Sequence, residues 1–514
     1  MSSILILGSI IERSAIGTSH GWYRTFVVPK SQVVQNNNQK VIKVCVILLY
    51  SVFSGYFIAK HAMWRDELQL WLVASKSENL FELVSNKEYE VRPYIWFFIC
   101  WILSRFSRNP EILKIFNFGL CVSLASVLLF RFKNSLILRI GFLFGYLTLF
   151  GYSAISEEYL FGTLIFIFAV SQIKKDSDRL GILLTASLLA NVNLLFAIVS
   201  IGVAGIPSYS IYVELLKKSS VNKRDLIGML IFPGFFAISL TSMWPPNDFA
   251  YQSTSLNFNL LALKKMFAAL SDGLFPFIER NSLHNQLGAA VSYSVAFFAL
   301  AAIVVLLLCS FNKSTAIGIS ATTSLVLIVV WSGIGYATYW WHFGVLFIAY
   351  FGFTLISIPQ WKCANKLQKF GYACSLVVLV SQSIALFMGP NLGIFPSTPY
   401  SMARNTASYI QSICIDPCTI LTNDEVTGAS ISAYLDGADI YRVNRGDFGT
   451  FAVWDSKIGK SVSWGDLLSS ASKFPNPIFV TSNLTDPPQQ IVVLSKFLGG
   501  VWADEDFTVS KPNL

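Results

Sequence analysis

Long apolar runs separated by short polar connectors fill residues 41–389. They fall at 41–59, 113–131, 136–153, 158–173, 180–191, 193–214, 226–242, 288–310, 315–335, 342–358 and 370–389. A hydrocarbon core about 30 Å thick takes roughly 20 helical residues to cross, so the pattern predicts an α-helical polytopic membrane protein of about ten to twelve transmembrane helices. The stretch 93–104 is short for a crossing and reads as a re-entrant helix, an interfacial helix or a short span. After residue 389 the pattern changes. Thr419–Asn423, Asp439–Val443, Thr450–Trp454, Pro477–Thr481 and Ile491–Ser495 read as strands, and Asn405–Cys414 and Trp464–Phe474 as helices. Residues 390–514 are therefore expected to form a small soluble α/β domain.

Composition agrees with a bilayer-embedded chain. Hydrophobic residues make up 54% and charged residues 13%, against about 25% charged in a soluble domain. This excludes a large soluble enzyme. The net charge of +9 is unevenly spread: residues 390–514 carry 12 acidic and 8 basic side chains, and the rest carries the excess of cations. Basic residues gather between apolar runs, at Lys174 and Lys175, Lys217 and Lys218, Lys223 and Arg224, and Lys362, Lys366 and Lys369. Such connectors mark the cytoplasmic side, whereas nucleic-acid binding would gather the charge on one face. With 1–40 as a cytoplasmic lead-in, the loop 60–92 falls outside, and the odd number of runs puts 390–514 outside as well. A full crossing by 93–104 would reverse everything downstream. The expected location is the cell membrane, multi-pass. Ile4–Ile11 lacks the charged flank and small-residue site of a cleavable signal. Of eight cysteines, Cys45, Cys100, Cys121, Cys309 and Cys374 lie in apolar segments as small hydrophobes. Cys414 and Cys418 could form a local disulfide in an oxidising compartment.

Four polar features could carry chemistry. Directly after the first run comes His61-Ala62-Met63-Trp64-Arg65-Asp66-Glu67-Leu68-Gln69-Leu70-Trp71. Trp64, Leu68, Trp71 and Leu72 share a helical face, which suits a helix lying flat in the interface with Asp66 and Glu67 turned to water. A carboxylate there can take a proton from an attacking hydroxyl or hold a divalent cation against a phosphate; equally, the pair can simply cap and solubilise a surface helix. Arg92, just before Pro93-Tyr94-Ile95-Trp96, can grip a lipid phosphate or serve as an interfacial anchor. Glu157-Glu158-Tyr159, between two runs, lines a polar cavity or makes a hydrated turn. Trp340-Trp341-His342 offers a donor to a phosphate or sugar oxygen, or an aromatic belt with one polar member. Arg280 and His284 are weaker candidates of the same kind, and Asn483-Leu484-Thr485 matches a glycosylation sequon.

Trp64-Arg65-Asp66-Glu67-x-Gln69-x-Trp71 followed by Pro93-Tyr94-Ile95-Trp96 resembles the layout of GT-C glycosyltransferases. The chain looks most like bacterial members distantly similar to protein O-mannosyltransferases, over most of 41–389. The resemblance implies an inverting transferase that moves a sugar from a polyprenyl-phosphate-linked donor to a glycan, lipid or protein acceptor at the outer face. It makes Asp66 the base, with Glu67 supporting it or sharing a Mg or Mn ion, and puts Arg92, Glu158, Tyr159 and His342 at the substrate. Two departures stand out. Val91-Arg92-Pro93 replaces a Gly-His-Pro-like triplet, which moves the phosphate contact to Arg92. Glu158 stands where such proteins carry arginine, which removes a cation from the donor site. Two other classes remain open on the residues alone. A transporter or lipid flippase would need charges at the bilayer midplane and matching broken helices, and a non-catalytic scaffold would use its tail to bind a partner.

Overall fold

The computed structural model describes residues 30–173, 178–218, 220–250, 258–276, 283–335, 340–388, 399–414, 418–460, 462–484 and 486–513, with the side chains of 30–37, 283–292 and 340 set aside. Lys174, Lys175, Arg280, Tyr339 and Thr485, and the side chains of His284 and Trp340, lie outside the described residues. Residues Val46–Leu514 form one compact unit, and Met1–Cys45 is a separate one.

The helices follow the apolar runs closely. They are α1 (Lys30–Lys60), α2 (Arg65–Ser75), α3 (Leu80–Asn86), α4 (Tyr94–Ser104), α5 (Ile112–Arg131), α6 (Leu136–Leu143), α7 (Glu158–Ile173), α8 (Arg179–Ala190), α9 (Leu194–Leu216) and α10 (Lys223–Ser242). Then come α11 (Leu260–Leu274), α12 (Leu283–Lys313), α13 (Thr315–Ile334), α14 (Trp340–Ser357) and α15 (Lys366–Met388). Among the described residues, seven helices are long and apolar enough to cross a membrane: α1, α5, α9, α10, α12, α13 and α15. The helices α4, α7, α8 and α14 are apolar but shorter. Asn and Asp side chains fix several starts by accepting from orphan N–H groups. Asn193, for example, accepts from Phe196 N at 3.0 Å at the head of α9.

The run 136–153 is not one continuous helix, as the apolar pattern had predicted. It stops at Leu143 and resumes as a short π-helix, Leu147–Gly151. The cause is a polar side chain inside the turn. Thr148 Oγ1 donates to Phe142 O and lies near Leu143 O and Gly145 O, while Gln382 Oε1 accepts from Leu147 N at 3.3 Å. The widened turn delivers Gly151 and Tyr152 to the recess described below.

The tail contributes α16 (Ala403–Ile413), α17 (Glu425–Tyr434) and α18 (Trp464–Ala471) with β1 (Thr419–Thr422), β2 (Ile440–Arg442), β3 (Asp447–Gly449), β4 (Pro477–Thr481), β5 (Ile491–Phe497) and β6 (Phe507–Pro512). The sheet order is β3-β2-β1-β4-β6-β5; β1 runs parallel to β2 and β4, and the other neighbours are antiparallel. Strand β3 precedes the expected Thr450–Trp454 segment, which is instead irregular and gives its backbone groups to other elements. Ala452 O accepts from Gln69 Nε2 at 2.7 Å, and Trp454 O from Ala250 N at 2.9 Å. Cys414 and Cys418 are disulfide-bonded.

Helix α2 does not lie flat in an interface. Trp64, Leu68, Trp71 and Leu72 are all buried in protein. The helix packs on α4 and α17, so Trp71, Trp96, Ala429, Ile431 and Val480 share one apolar cluster. Truncating one such tryptophan to alanine costs about 3–5 kcal/mol. The tail and the first loop thus fold against each other.

Candidate functional site

The site starts from Glu67, the third residue of α2. Its Oε2 accepts from Trp64 N at 3.2 Å, which caps the helix start. The same oxygen meets His61 Nε2 at 2.6 Å, and Oε1 accepts from Ser156 N at 2.6 Å. Lys114 Nζ donates to His61 O at 2.6 Å. Glu67 is fully buried, so the expectation that both carboxylates face water holds for only one of them. A buried carboxylate needs donors around it. These donors come from the end of α1, the head of α2 and the turn before α7, and Glu67 therefore acts as their common tie.

Asp66, one position earlier, points elsewhere. Its side chain is 28% exposed, with Arg65 Nε 3.5 Å from Oδ1. Crowding by protein raises its carboxyl above the usual range; Arg65 and Arg92 pull it down, and Glu67 and Asp504 push it up. Asp66 is the open carboxylate of the pair.

Arg92 supplies the cation that Glu158 seemed to remove. Its Nη1 lies 3.2 Å from Glu158 Oε2 and 3.7 Å from Glu157 Oε2. Burial opposes the guanidinium charge, yet Glu158, Glu157 and Asp66 together leave its pKa raised. Asn193 Nδ2 donates to Glu158 Oε1 at 3.4 Å. Glu157 is 2% exposed and its Oε1 has no hydrogen-bond partner. Burial holds its carboxyl well above the ordinary value; Arg92 opposes this, while Glu158, Asp66 and Glu67 reinforce it. Glu157 and Glu158 are thus both buried and meet Arg92, rather than forming a hydrated turn.

Aromatic rings close the space above these charges. Tyr152 stacks on Tyr159 at 5.1 Å between centroids, His342 lies 6.2 Å from Tyr159, and Tyr152 Oη donates to Trp341 O at 2.7 Å. Trp64 stacks on Trp502 at 5.2 Å and meets Trp341 and Tyr400 edge-on, each at 5.7 Å. A narrow recess of about 10 Å³, room for about one water molecule, lies among Trp64, Tyr152, Ile155, Glu157, Tyr159 and Trp341. Trp64 Nε1 is buried there without a partner. An orphan donor and the orphan Glu157 oxygen in a space this small suit a bridging water, and a larger ligand would have to part the aromatic walls.

The structure thus brings Asp66, Arg92, Glu158, Tyr159 and His342 to one end of the helix bundle, with Glu67 behind them. Sequence reasoning gave no role to His61, though it opens the first motif, and missed Ser156, Tyr400, Trp502 and Asp504. The ion pair of Arg65 with Asp504 spans 439 positions, and no local pattern announces such a pairing.

The expected Mg or Mn ion finds no suitable donor set. Both Glu67 oxygens are occupied, the cations Arg65 and Arg92 flank Asp66, and the described residues contain no group of three or more His, Cys, Asp or Glu side chains placed for a metal. No protein-family model, curated protein or solved structure matches the chain.

Proposed function

We propose that this chain is a membrane glycosyltransferase of GT-C type, which moves a sugar from a polyprenyl-phosphate-linked donor to an acceptor hydroxyl at the outer face of the cell membrane. In this reading the broken 136–153 segment and the short helices α7, α8 and α14 cross alongside the seven long helices, giving eleven crossings and an extracytoplasmic tail. The observation that carries the proposal is one open carboxylate, Asp66, within electrostatic reach of a carboxylate-braced guanidinium, Arg92.

Asp66 accepts the proton of the acceptor hydroxyl as its oxygen bonds to the anomeric carbon. The bond from that carbon to the phosphate oxygen breaks, and the electron pair leaves with the phosphate. Attack from the face opposite the leaving group inverts the centre. Arg92 meets the charge that develops on the phosphate, and Glu157 and Glu158 fix the guanidinium beforehand, so little reorganisation is needed. A carboxyl raised by burial is a stronger base than a free one, which suits Asp66 to the proton transfer. Tyr159 and His342 line the sugar side. No step passes through a metal ion.

The test is release of polyprenyl phosphate from a panel of polyprenyl-phosphate sugars by the full chain in nanodiscs, with crude acceptor extract. Wild type should release it with at least one donor, and Asp66→Asn, with unchanged thermal unfolding, should lose about 10²–10⁴-fold in rate. Equal release by the two proteins would remove Asp66 from the chemistry. No release from any donor by folded wild type would favour a transporter or scaffold.

A further inference from the structure

A large cavity lies at the other end of the bundle, where α5, α9, α12 and α14 finish and α13 begins. It holds about 1060 Å³, just above the usual span of about 300–1,000 Å³ for small-molecule sites. Its deep wall is apolar, with Ile206, Ile317 and Leu355. Lys133, Lys217 and Lys313 line it and remain exposed. The acidic member, Glu214, is already engaged, with Oε2 accepting from Arg179 Nη1 at 2.7 Å. The cavity is therefore cationic at its rim and greasy inside.

Two further features point to a ligand. Asn134 lines the cavity and is 5% exposed; its Nδ2 donates to Leu355 O at 3.3 Å, and its Oδ1 has no partner. A buried orphan acceptor costs about 1–3 kcal/mol unless a donor reaches it. Beneath it, Arg139 is 4% exposed and donates to Leu129 O at 2.8 Å, Phe132 O at 2.9 Å and Asn134 O at 3.0 Å. These carbonyls pin the turn that presents Lys133 and Asn134. No carboxylate among the described residues pairs with Arg139, so its positive charge adds to the field of the lysines.

We propose that this cavity holds the headgroup of an anionic membrane lipid. The lysines take the phosphate, Asn134 Oδ1 accepts from a headgroup hydroxyl, and the acyl chains lie along the apolar wall. Basic pockets between transmembrane helices recognise anionic headgroups in this way. The inference does not rest on the glycosyltransferase reading, because the cavity and the Asp66 site occupy opposite ends of α5, a helix about 30 Å long.

The experiment is lipid titration of the detergent-solubilised full chain, read by native mass spectrometry, with phosphatidylglycerol, phosphatidate and phosphatidylcholine as probes and inorganic phosphate as the soluble arm. Wild type should bind phosphatidylglycerol at least tenfold more tightly than phosphatidylcholine. The K133Q/K217Q/K313Q variant should lose that preference, and K457Q/K460Q/K473Q, with the same charge change in the tail, should keep it. Asn134→Ala should bring phosphatidylglycerol down to the phosphatidate level. Equal loss in both triple variants, no preference in wild type, or full competition by inorganic phosphate alone would each overturn the proposal.

Discussion

Glu505 ties the turn at 502–505 to the rest of the tail, next to the Asp504–Arg65 pair at the candidate site, and it should make that packing sensitive to pH. It is 1% exposed; Ser401 Oγ donates to Oε2 at 2.6 Å and Ser430 Oγ to Oε1 at 3.1 Å. Its neighbour Asp504 pairs with Arg65, beside Asp66. Burial pushes the Glu505 carboxyl up to about 7, from an ordinary 4.5; Ser401, Arg65 and Ser430 pull it down and Asp504 adds to the rise. The folded state therefore holds this proton more tightly, by about 3 kcal/mol. The stability it contributes is complete below about pH 4.5 and is lost as pH rises through about 7, because the folded state binds more protons across that window. Glu505→Gln removes the titration and keeps the contacts, since both serine hydroxyls can turn to accept. Equilibrium unfolding of the full chain in mixed micelles, from pH 5 to 9, should show the variant gaining on wild type by about 3 kcal/mol across the series. Asp66, Glu90 and Glu157 are also raised, but they are present in both proteins and cancel in the difference. A difference that stays constant with pH would refute the reasoning.

Two other perturbations probe the same assembly. Gln69 donates to Ala452 O at 2.7 Å and Glu90 Oε1 at 2.8 Å and accepts from Ala452 N at 2.9 Å; Gln69→Leu strands buried groups at about 1–3 kcal/mol each, so limited proteolysis should cut the tail faster, and an unchanged cleavage rate would count against the clamp. Arg92→Met leaves Glu157 and Glu158 without their cation, a loss of about 3–5 kcal/mol for a buried pair. Glu157 is already raised and rises further without Arg92, so the variant should regain stability as pH falls and the Glu157 carboxyl protonates. Unfolding at pH 5.5 and 8.5 checks the sign, and equal losses at both would sink it.

Period and length made the helical class legible, because an apolar run long enough to span a bilayer has few other fates. Strands β1, β2, β4 and β5 were legible for a similar reason, being short β-rich runs between turn residues. The misses have separate causes. α17 is rich in Ser, Ala and Gly, so its sequence carries no apolar stripe; its place comes from packing on α2. β6 ends in Lys511 and Pro512 and is held by β4 and β5 on either side. The 136–153 run hid its break, because one threonine hydroxyl bonded back to the chain is invisible in a hydropathy pattern. α2 misled in the opposite sense: its tryptophans fit a membrane interface as well as a protein core, and only the position of the tail decides between them.

The acidic pair shows why adjacency in sequence does not mean shared duty. Successive residues on a helix point about 100° apart, so a helix wedged between the bundle and the tail can turn only one of two neighbouring carboxylates to an opening. Here the capping geometry makes the choice. Glu67, three residues past the cap at Trp64, folds back onto Trp64 N and is captured by His61 and Ser156. With Glu67 fixed, Asp66 must emerge on the next face, where Arg65 lies beside it and Arg92 is within electrostatic reach. Asp504 then holds Arg65 from the tail, and Trp502 stacks on Trp64 at the wall of the recess. The open carboxylate is thus positioned by the nearby end of α1 and by two segments distant in sequence, the turn before α7 and the turn at 502–505. Shortening the tail before Trp502 would unfasten Arg65 and uncover Trp64, even though every residue expected at the site lies upstream.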